Sequence, residues 1–66
     1  MTRIDARGLR CPWPAIRLAR ALREGMDAID ILADDPAAPR ELDAAAAAAG
    51  RRLIRFGDDP HHFRVA

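Results

Sequence analysis

The chain has 66 residues, of which 50% are hydrophobic and 32% charged, and its formal net charge is +1 at neutral pH. A chain of this length is expected to form one domain, residues 1–66, without a second domain or a deep substrate cavity. Its near-neutral charge and few aromatic residues argue against direct nucleic-acid binding, and its lack of a long apolar run argues against a membrane span.

The first half predicts a strand, a helix and a second strand. The stretch TRIDA alternates apolar and polar residues, which is typical of a short strand, and Gly8 permits a sharp turn after it. From about Pro12 to Glu24, apolar residues recur at helical spacing, at positions 15, 18, 19 and 22, and Gly25 is placed to end this helix. The stretch AIDILA at 28–33 predicts a largely buried strand.

The second half predicts a helix followed by a hairpin. Because Pro39 has no backbone donor, we expect a turn at 34–38 and a regular helix from about Pro39, ended by Gly50. The stretches RRLIRF and HHFRVA, joined by GDDP, predict two strands. The order β-α-β-α-β-β predicts an α+β two-layer sandwich: a four-stranded mixed sheet with two helices on one face and the other face partly open.

Charge is distributed unevenly along the chain. Residues 1–24 contain six Arg against Asp5 and Glu24, whereas residues 25–50 contain one Arg against six acidic residues. This segregation predicts a basic patch around the start of the first helix, which would orient encounters with a charged partner. Arg17 and Arg20 share one face of that helix and either meet an acidic partner or remain solvated.

The only cysteine, Cys11, lies between Arg10 and Pro12 at the predicted start of the first helix. One cysteine cannot form an internal disulfide and makes a poor zinc set with two adjacent histidines, so we expect no metal and no cofactor. The positive end of the helix dipole, with Arg7 and Arg10, is expected to favour the nucleophilic thiolate. A buried cysteine would instead act as a small apolar side chain, and spacing alone leaves both interpretations open.

Other features also allow a functional and a structural interpretation. Trp13 either anchors a partner or covers the end of the helix. The segment DDP at 34–36 favours a helix-capping turn over a metal or acid–base site. His61 and His62 lie on a strand whose side chains alternate in direction, so at most one of them could serve as a base for Cys11, and the sequence favours two surface histidines.

The segment LRCPWPAIRLARAL resembles the Cys-Pro-X-Pro motif of the TusA/SirA-like sulfur-carrier family. As in that family, a strand with Asp5 and the dipeptide GL precede the motif. The later segment ADDPAAPREL resembles the family's Asp-Asp-Pro segment after the second strand, so the resemblance covers nearly the whole chain. The residues that support the motif around the cysteine are Gly8, Leu9, Pro12, Pro14, Asp34, Asp35 and Pro36.

The resemblance implies a cytoplasmic sulfurtransferase in which Cys11 accepts sulfane sulfur as a persulfide and relays it, with little turnover in the absence of partners. The implied donor is a cysteine desulfurase or a rhodanese-like protein, and the implied acceptor serves tRNA thiolation, molybdenum cofactor sulfur supply or sulfur oxidation. Some members have a second cysteine in the second helix, where this chain has alanines, so a role that needs a resolving thiol is not expected. The candidate partner-binding residues are Arg10, Trp13, Arg17 and Arg20.

Two other functions are compatible with the same residues. The chain could be a non-catalytic protein-interaction or regulatory module of the same fold, and a Cys11→Ser variant would then retain function. It could also be a thiol redox sensor, in which peroxide forms a sulfenic acid or an intermolecular disulfide with a functional effect. A sulfur carrier would only be inactivated by peroxide.

Overall fold

The computed structural model describes residues 2–66; Met1, which the predicted domain 1–66 includes, lies outside the described residues. The strands form one mixed sheet in the order β1-β2-β4-β3, in which β1 and β2 are parallel and the other two pairings are antiparallel. Both helices pack on one face of this sheet, as predicted. The elements are β1 Thr2–Asp5, α1 Trp13–Arg23, β2 Ile29–Leu32, α2 Ala38–Ala48, β3 Leu53–Arg55 and β4 His62–Val65.

A proline lies in the first turn of each helix. Pro14 in α1 and Pro39 in α2 take early positions, where the missing N–H would have had no partner within the helix. The helix α1 starts at Trp13, one residue later than predicted, because Pro12 is the capping residue. The helix α2 starts at Ala38, one residue earlier than predicted. Neither helix in residues 2–66 is long and apolar enough to cross a membrane.

Gly25 ends α1 as predicted. Its N–H donates to the carbonyl of Leu22 at 3.1 Å, and the Met26 N–H donates to the carbonyl of Ala21 at 3.2 Å. These two bonds require the intervening residue to adopt a left-handed conformation, and Gly25 has a φ of 86°. The same pair of bonds ends α2 around Gly50. The helices therefore stop where the sequence predicts.

The core lies between the sheet and the helices. Leu18 of α1 and Leu42 of α2 are fully buried with Ile29 and Ile31 of the central strand β2 and with Phe63 of β4. The buried positions of α1 are 14, 18 and 21, so the predicted apolar face at 15, 18, 19 and 22 is only partly correct. Ala19 and Leu22 line a groove beside α2, and Leu22 also packs, partly buried, against the core.

The other face of the sheet, which the helices leave uncovered, carries an ion-pair network. Asp30 of β2 accepts hydrogen bonds from Nε and Nη2 of Arg64 at 2.8 and 3.3 Å, and Nε2 of His62 lies 3.6 Å from its Oδ2. The Arg64 guanidinium also lies 3.8 Å from the ring centroid of Phe56. Asp30 is buried, and the hydrogen bonds from Arg64 hold the pKa of its carboxyl below the usual value.

Candidate functional site

The two loops that contain the sequence motifs lie side by side at one edge of the sheet. Because β1 and β2 are parallel neighbours, their carboxyl ends meet at the same edge, and the loops leading to α1 and α2 both start there. The Gly8 N–H donates to Oδ1 of Asp34 at 2.9 Å and so links the loops directly. Gly8 has a φ of 82°, a conformation in which other residues are strained. The two motifs therefore form one structural unit.

The loop around Cys11 is anchored on both sides. Leu9, before the cysteine, packs against the core, and Pro14, after it, is fully buried. The Trp13 N–H donates to the carbonyl of Arg10 at 2.8 Å, which closes a tight turn around the cysteine. Cys11 itself is a free, exposed cysteine. Its sulfur is therefore accessible from outside while the backbone on either side is held in place.

The DDP segment builds the turn from which α2 starts. Oδ2 of Asp35 accepts a hydrogen bond from the Ala37 N–H at 3.0 Å, and the Asp35 carbonyl accepts one from the Ala38 N–H at 2.9 Å. Pro36 is the second residue of this turn, a position that suits its fixed φ. With Asp34 bonded to Gly8, the start of α2 is held beside the loop of Cys11.

Three of the six arginines of the predicted basic patch make contacts within the fold. Nε and Nη2 of Arg7 donate to the Asp5 carboxylate at 2.9 and 2.8 Å, and these bonds hold the pKa of Asp5 well below its usual range. Nη1 of Arg17 donates to the Asp5 carbonyl at 3.1 Å. Nε of Arg20 lies 3.6 Å from the carboxylate of Glu24 on the exposed surface. Arg7 and Arg20 are therefore paired with carboxylates, and Arg17 is held against the backbone.

The predicted preference of Cys11 for the thiolate is wrong. Partial loss of water around the sulfur raises the pKa of the thiol above its usual value, and the negative charge of Glu41 raises it further. Asp35 acts in the same direction, and Arg40 opposes both acids.

Two of the groups expected to favour the thiolate, the start of α1 and Arg7, are occupied elsewhere. Pro14 has no N–H, and the Trp13 N–H is bonded to the carbonyl of Arg10, so the start of α1 presents few free donors to the sulfur. The Arg7 guanidinium is paired with Asp5. Sequence reasoning missed Glu41 because it lies on α2, far from Cys11 along the chain. A prediction that the first two strands pair in parallel would have placed the starts of α1 and α2 at the same edge of the sheet.

Two exposed apolar side chains lie close to Cys11 along α1. Trp13 is 57% exposed and Ile16 is 48% exposed, and they are three residues apart on the helix surface. A Trp that mainly covered the end of the helix would bury more of its ring. Exposed aromatic residues beside a reactive group are typical of sites that bind a partner.

The two histidines do not supply the charges that act on Cys11. His62 is mostly buried on the uncovered face of the sheet, near Asp30 and 4.9 Å from Phe56 between ring centroids. His61 is exposed, and its backbone N–H donates to the carboxylate of Asp59 at 2.8 Å. His62 is thus part of the ion-pair network and not the surface residue that the sequence favoured.

Three comparisons with known proteins give consistent results. The profile of the family described as "Sulfurtransferase TusA" matches residues 2–66. A curated relative from Archaeoglobus fulgidus, named "Putative sulfur carrier protein", is 38% identical over 58 residues, which cover 85% of this chain and 75% of that protein. The crystal structure of a SirA-like protein from Desulfitobacterium hafniense matches with a TM-score of 0.80 at 29% identity, over 98% of this chain and 92% of that one. The chain belongs to the TusA sulfurtransferase family, which gives it the role of a sulfur carrier.

Proposed function

We propose that Cys11 accepts a sulfane sulfur atom from a donor protein as a persulfide and passes it to an acceptor protein in the reducing cytoplasm. Residues 1–66 act as a single carrier domain. The observation that supports this proposal best is the placement of Cys11, an exposed thiol between the inward-packed Leu9 and Pro14. A partner's cysteine can reach the sulfur there without any rearrangement of the backbone.

The transfer needs neither an oxidant nor a cofactor. The Cys11 thiolate attacks the outer sulfur of the donor's persulfide, the donor's S–S bond breaks, and the donor cysteine leaves as a thiolate. The leaving thiolate takes up the proton that Cys11 lost, so the step is balanced. An acceptor thiolate then removes the outer sulfur from Cys11 by the same attack, which restores the Cys11 thiol. One cysteine suffices for both steps.

The donor in this proposal is a cysteine desulfurase or a rhodanese-like protein. The acceptor belongs to tRNA thiolation, molybdenum cofactor sulfur supply or sulfur oxidation. Trp13 and Ile16 supply the apolar part of the surface that docks with these proteins, since both are exposed beside the thiol. These two side chains are flanked by Arg10, Arg17 and Arg20, which contact an acidic surface of the partner protein.

Intact-mass measurement tests the proposal directly. We expect the reduced protein to gain the mass of one sulfur atom after incubation with inorganic polysulfide or with a cysteine desulfurase and L-cysteine. The gain should be reversed by reductant and should be absent from a Cys11→Ala variant. No gain from either donor, by a folded protein whose Cys11 still reacts with iodoacetamide, would favour the interaction module.

Docking through Trp13 predicts a difference between protein and small-molecule donors. Replacement of Trp13 by alanine is expected to slow loading from the desulfurase by about tenfold, because a central aromatic contact typically contributes more than 1 kcal/mol to binding. Loading from polysulfide should be unchanged. Ile54→Ala is a matched control, since Ile54 is 42% exposed on the uncovered face of the sheet. Equal slowing with both donors would contradict a docking role.

The redox-sensor alternative is disfavoured by the raised pKa of Cys11. Oxidation by peroxide requires thiolate, and sensor cysteines therefore have low pKa values. The relay also uses the Cys11 thiolate, but the high effective concentration of the donor persulfide in a docked complex offsets a low thiolate fraction. The acidic surroundings of the thiol are thus compatible with the relay.

A further inference from the structure

Two consecutive turns lead from β1 to α1, and Cys11 lies in the second of them. The Leu9 N–H donates to the carbonyl of Ala6 at 3.2 Å and closes the first turn, in which Gly8 is the third residue. A positive φ at this position is typical of a type II turn, and Gly8 has a φ of 82°. The second turn, residues 10–13, follows directly, so its position depends on how the first turn is held.

The first turn is held by a side chain that extends the parallel pairing of β1 and β2. The last backbone bond of that pairing runs from the Ala6 N–H to the carbonyl of Leu32 at 2.7 Å. The next bond runs from the Gly8 N–H, which takes no part in closing the turn, to Oδ1 of Asp34 at 2.9 Å. Within residues 2–66, no second hydrogen bond joins this turn to the segment 34–36.

We propose that Asp34 is a positioning residue for sulfur transfer at Cys11, because it holds the loop of the cysteine in place through the N–H of Gly8. This inference rests on the proposed function and adds a residue that acts on the backbone and not on the sulfur. Leu9 and Pro14 anchor the loop to the core. The bond to Asp34 anchors the same loop to the segment that leads into α2.

Precise placement of the loop matters for a protein donor more than for a small one. A donor protein must contact Trp13 and Ile16 and bring its persulfide to the Cys11 sulfur at the same time, so a displaced loop lowers the fraction of productive encounters. Polysulfide reaches the exposed thiol without docking. The loss of the bond should therefore slow transfer from a protein and leave transfer from polysulfide unchanged.

An Asp34→Ala variant tests this inference. We expect its loading from a cysteine desulfurase with L-cysteine, followed by intact mass, to be slower by about threefold to tenfold, the factor that corresponds to the loss of one hydrogen bond. Loading from inorganic polysulfide should match the wild type. Hydrogen exchange of the Gly8 N–H, measured by NMR without any donor, should become faster by about tenfold because the donor has lost its acceptor.

Two further variants separate the hydrogen bond from the charge. Asp34→Asn keeps a side-chain oxygen that accepts from Gly8 and should restore most of the wild-type behaviour. Asp27→Ala is the matched control, since Asp27 is exposed two residues before β2, at the opposite edge of the sheet. Equal slowing of Asp34→Ala with both donors, unchanged loading from the desulfurase, or equal defects of Asp34→Asn and Asp34→Ala would each overturn the inference.

A change in the backbone removes the same bond and leaves Asp34 in place. Synthetic residues 1–10 can be ligated to residues 11–66 at Cys11, so an ester can replace the amide between Arg7 and Gly8. The ester has no N–H to donate, and we expect the same selective slowing with the desulfurase. Normal loading of this protein would contradict the inference even if Asp34→Ala did not fold.

The exchange measurement also separates this inference from the proposed function. Failure of the wild type to gain a sulfur atom, with faster exchange of the Gly8 N–H in Asp34→Ala, would overturn the proposed relay and leave the hold of Asp34 on the loop intact. Unchanged exchange in Asp34→Ala, with normal loading of the wild type, would overturn the role of Asp34 and leave the relay intact.

Discussion

Replacement of Phe63 by alanine is expected to unfold most of the protein at room temperature. Phe63 is 2% exposed and lies in β4 opposite Ile31 of β2 and Arg55 of β3, so its ring fills the core where the two pairings of β4 meet. Truncation of a buried Phe to Ala costs about 3 to 5 kcal/mol. A domain of this size has a total stability of roughly 3 to 5 kcal/mol, so little remains.

Urea denaturation followed by far-ultraviolet circular dichroism measures this effect. Phe56→Ala is the matched control, because Phe56 is 37% exposed and lies in the turn after β3, outside the core. The control is expected to stay folded, with only a modest loss of stability from its contacts with Arg64 and His62. Similar unfolding midpoints for the two variants would contradict the assignment of the core to the helix-covered face of the sheet.

Replacement of Asp30 by alanine is expected to have the second largest effect on stability. The buried Asp30 carboxylate accepts hydrogen bonds from Nε and Nη2 of Arg64 and lies 3.6 Å from Nε2 of His62, so its replacement removes these charge-assisted contacts. Removal of a hydrogen-bonded charge of this kind costs about 1 to 3 kcal/mol. We expect a value in the lower half of that range, because the Arg64 side chain is 30% exposed to water.

The pH dependence of stability provides a second readout of Asp30. Because its pKa in the folded protein is below the usual value, the stabilisation is complete above the ordinary pKa of an aspartate and is lost as pH falls through the folded value. The Asp30→Ala variant should therefore lose less stability than the wild type on acidification below about pH 4. Asp5→Ala removes an exposed ion pair on the neighbouring strand and should change stability little at neutral pH. An equal loss of stability with falling pH in the wild type and in the Asp30→Ala variant would contradict the stabilising role of the Asp30 carboxylate.

Most of the secondary structure could be predicted from the sequence. The alternation in TRIDA and AIDILA, the prolines in the first turns and the glycines after the helices are local signals, and each determines the conformation of the residues nearby. The predicted helix starts differ from the observed ones by a single residue: Pro12 caps α1 instead of starting it, and Pro39 is the second residue of α2 instead of the first.

The site was predicted in part. The motif around Cys11 and the later Asp-Asp-Pro segment were identified from the sequence, and the structure joins them through the hydrogen bond between Gly8 and Asp34. The electrostatic prediction failed because it counted charges that are near in sequence. Arg7 is near Cys11 along the chain but is paired with Asp5, whereas Glu41 is distant along the chain and acts on the thiol.

The sequence by itself determined the order of the elements, the position of the single cysteine and the family to which the chain belongs. Only the tertiary structure decided that β4 lies between β2 and β3, that Asp30 and Arg64 share a network, and that the loops containing Cys11 and the Asp-Asp-Pro segment are joined. Conformational preferences act over a few residues, so they can be derived from local sequence. Electrostatic interactions act through space, and the fold alone determines which charges are close enough to the Cys11 sulfur to set its pKa.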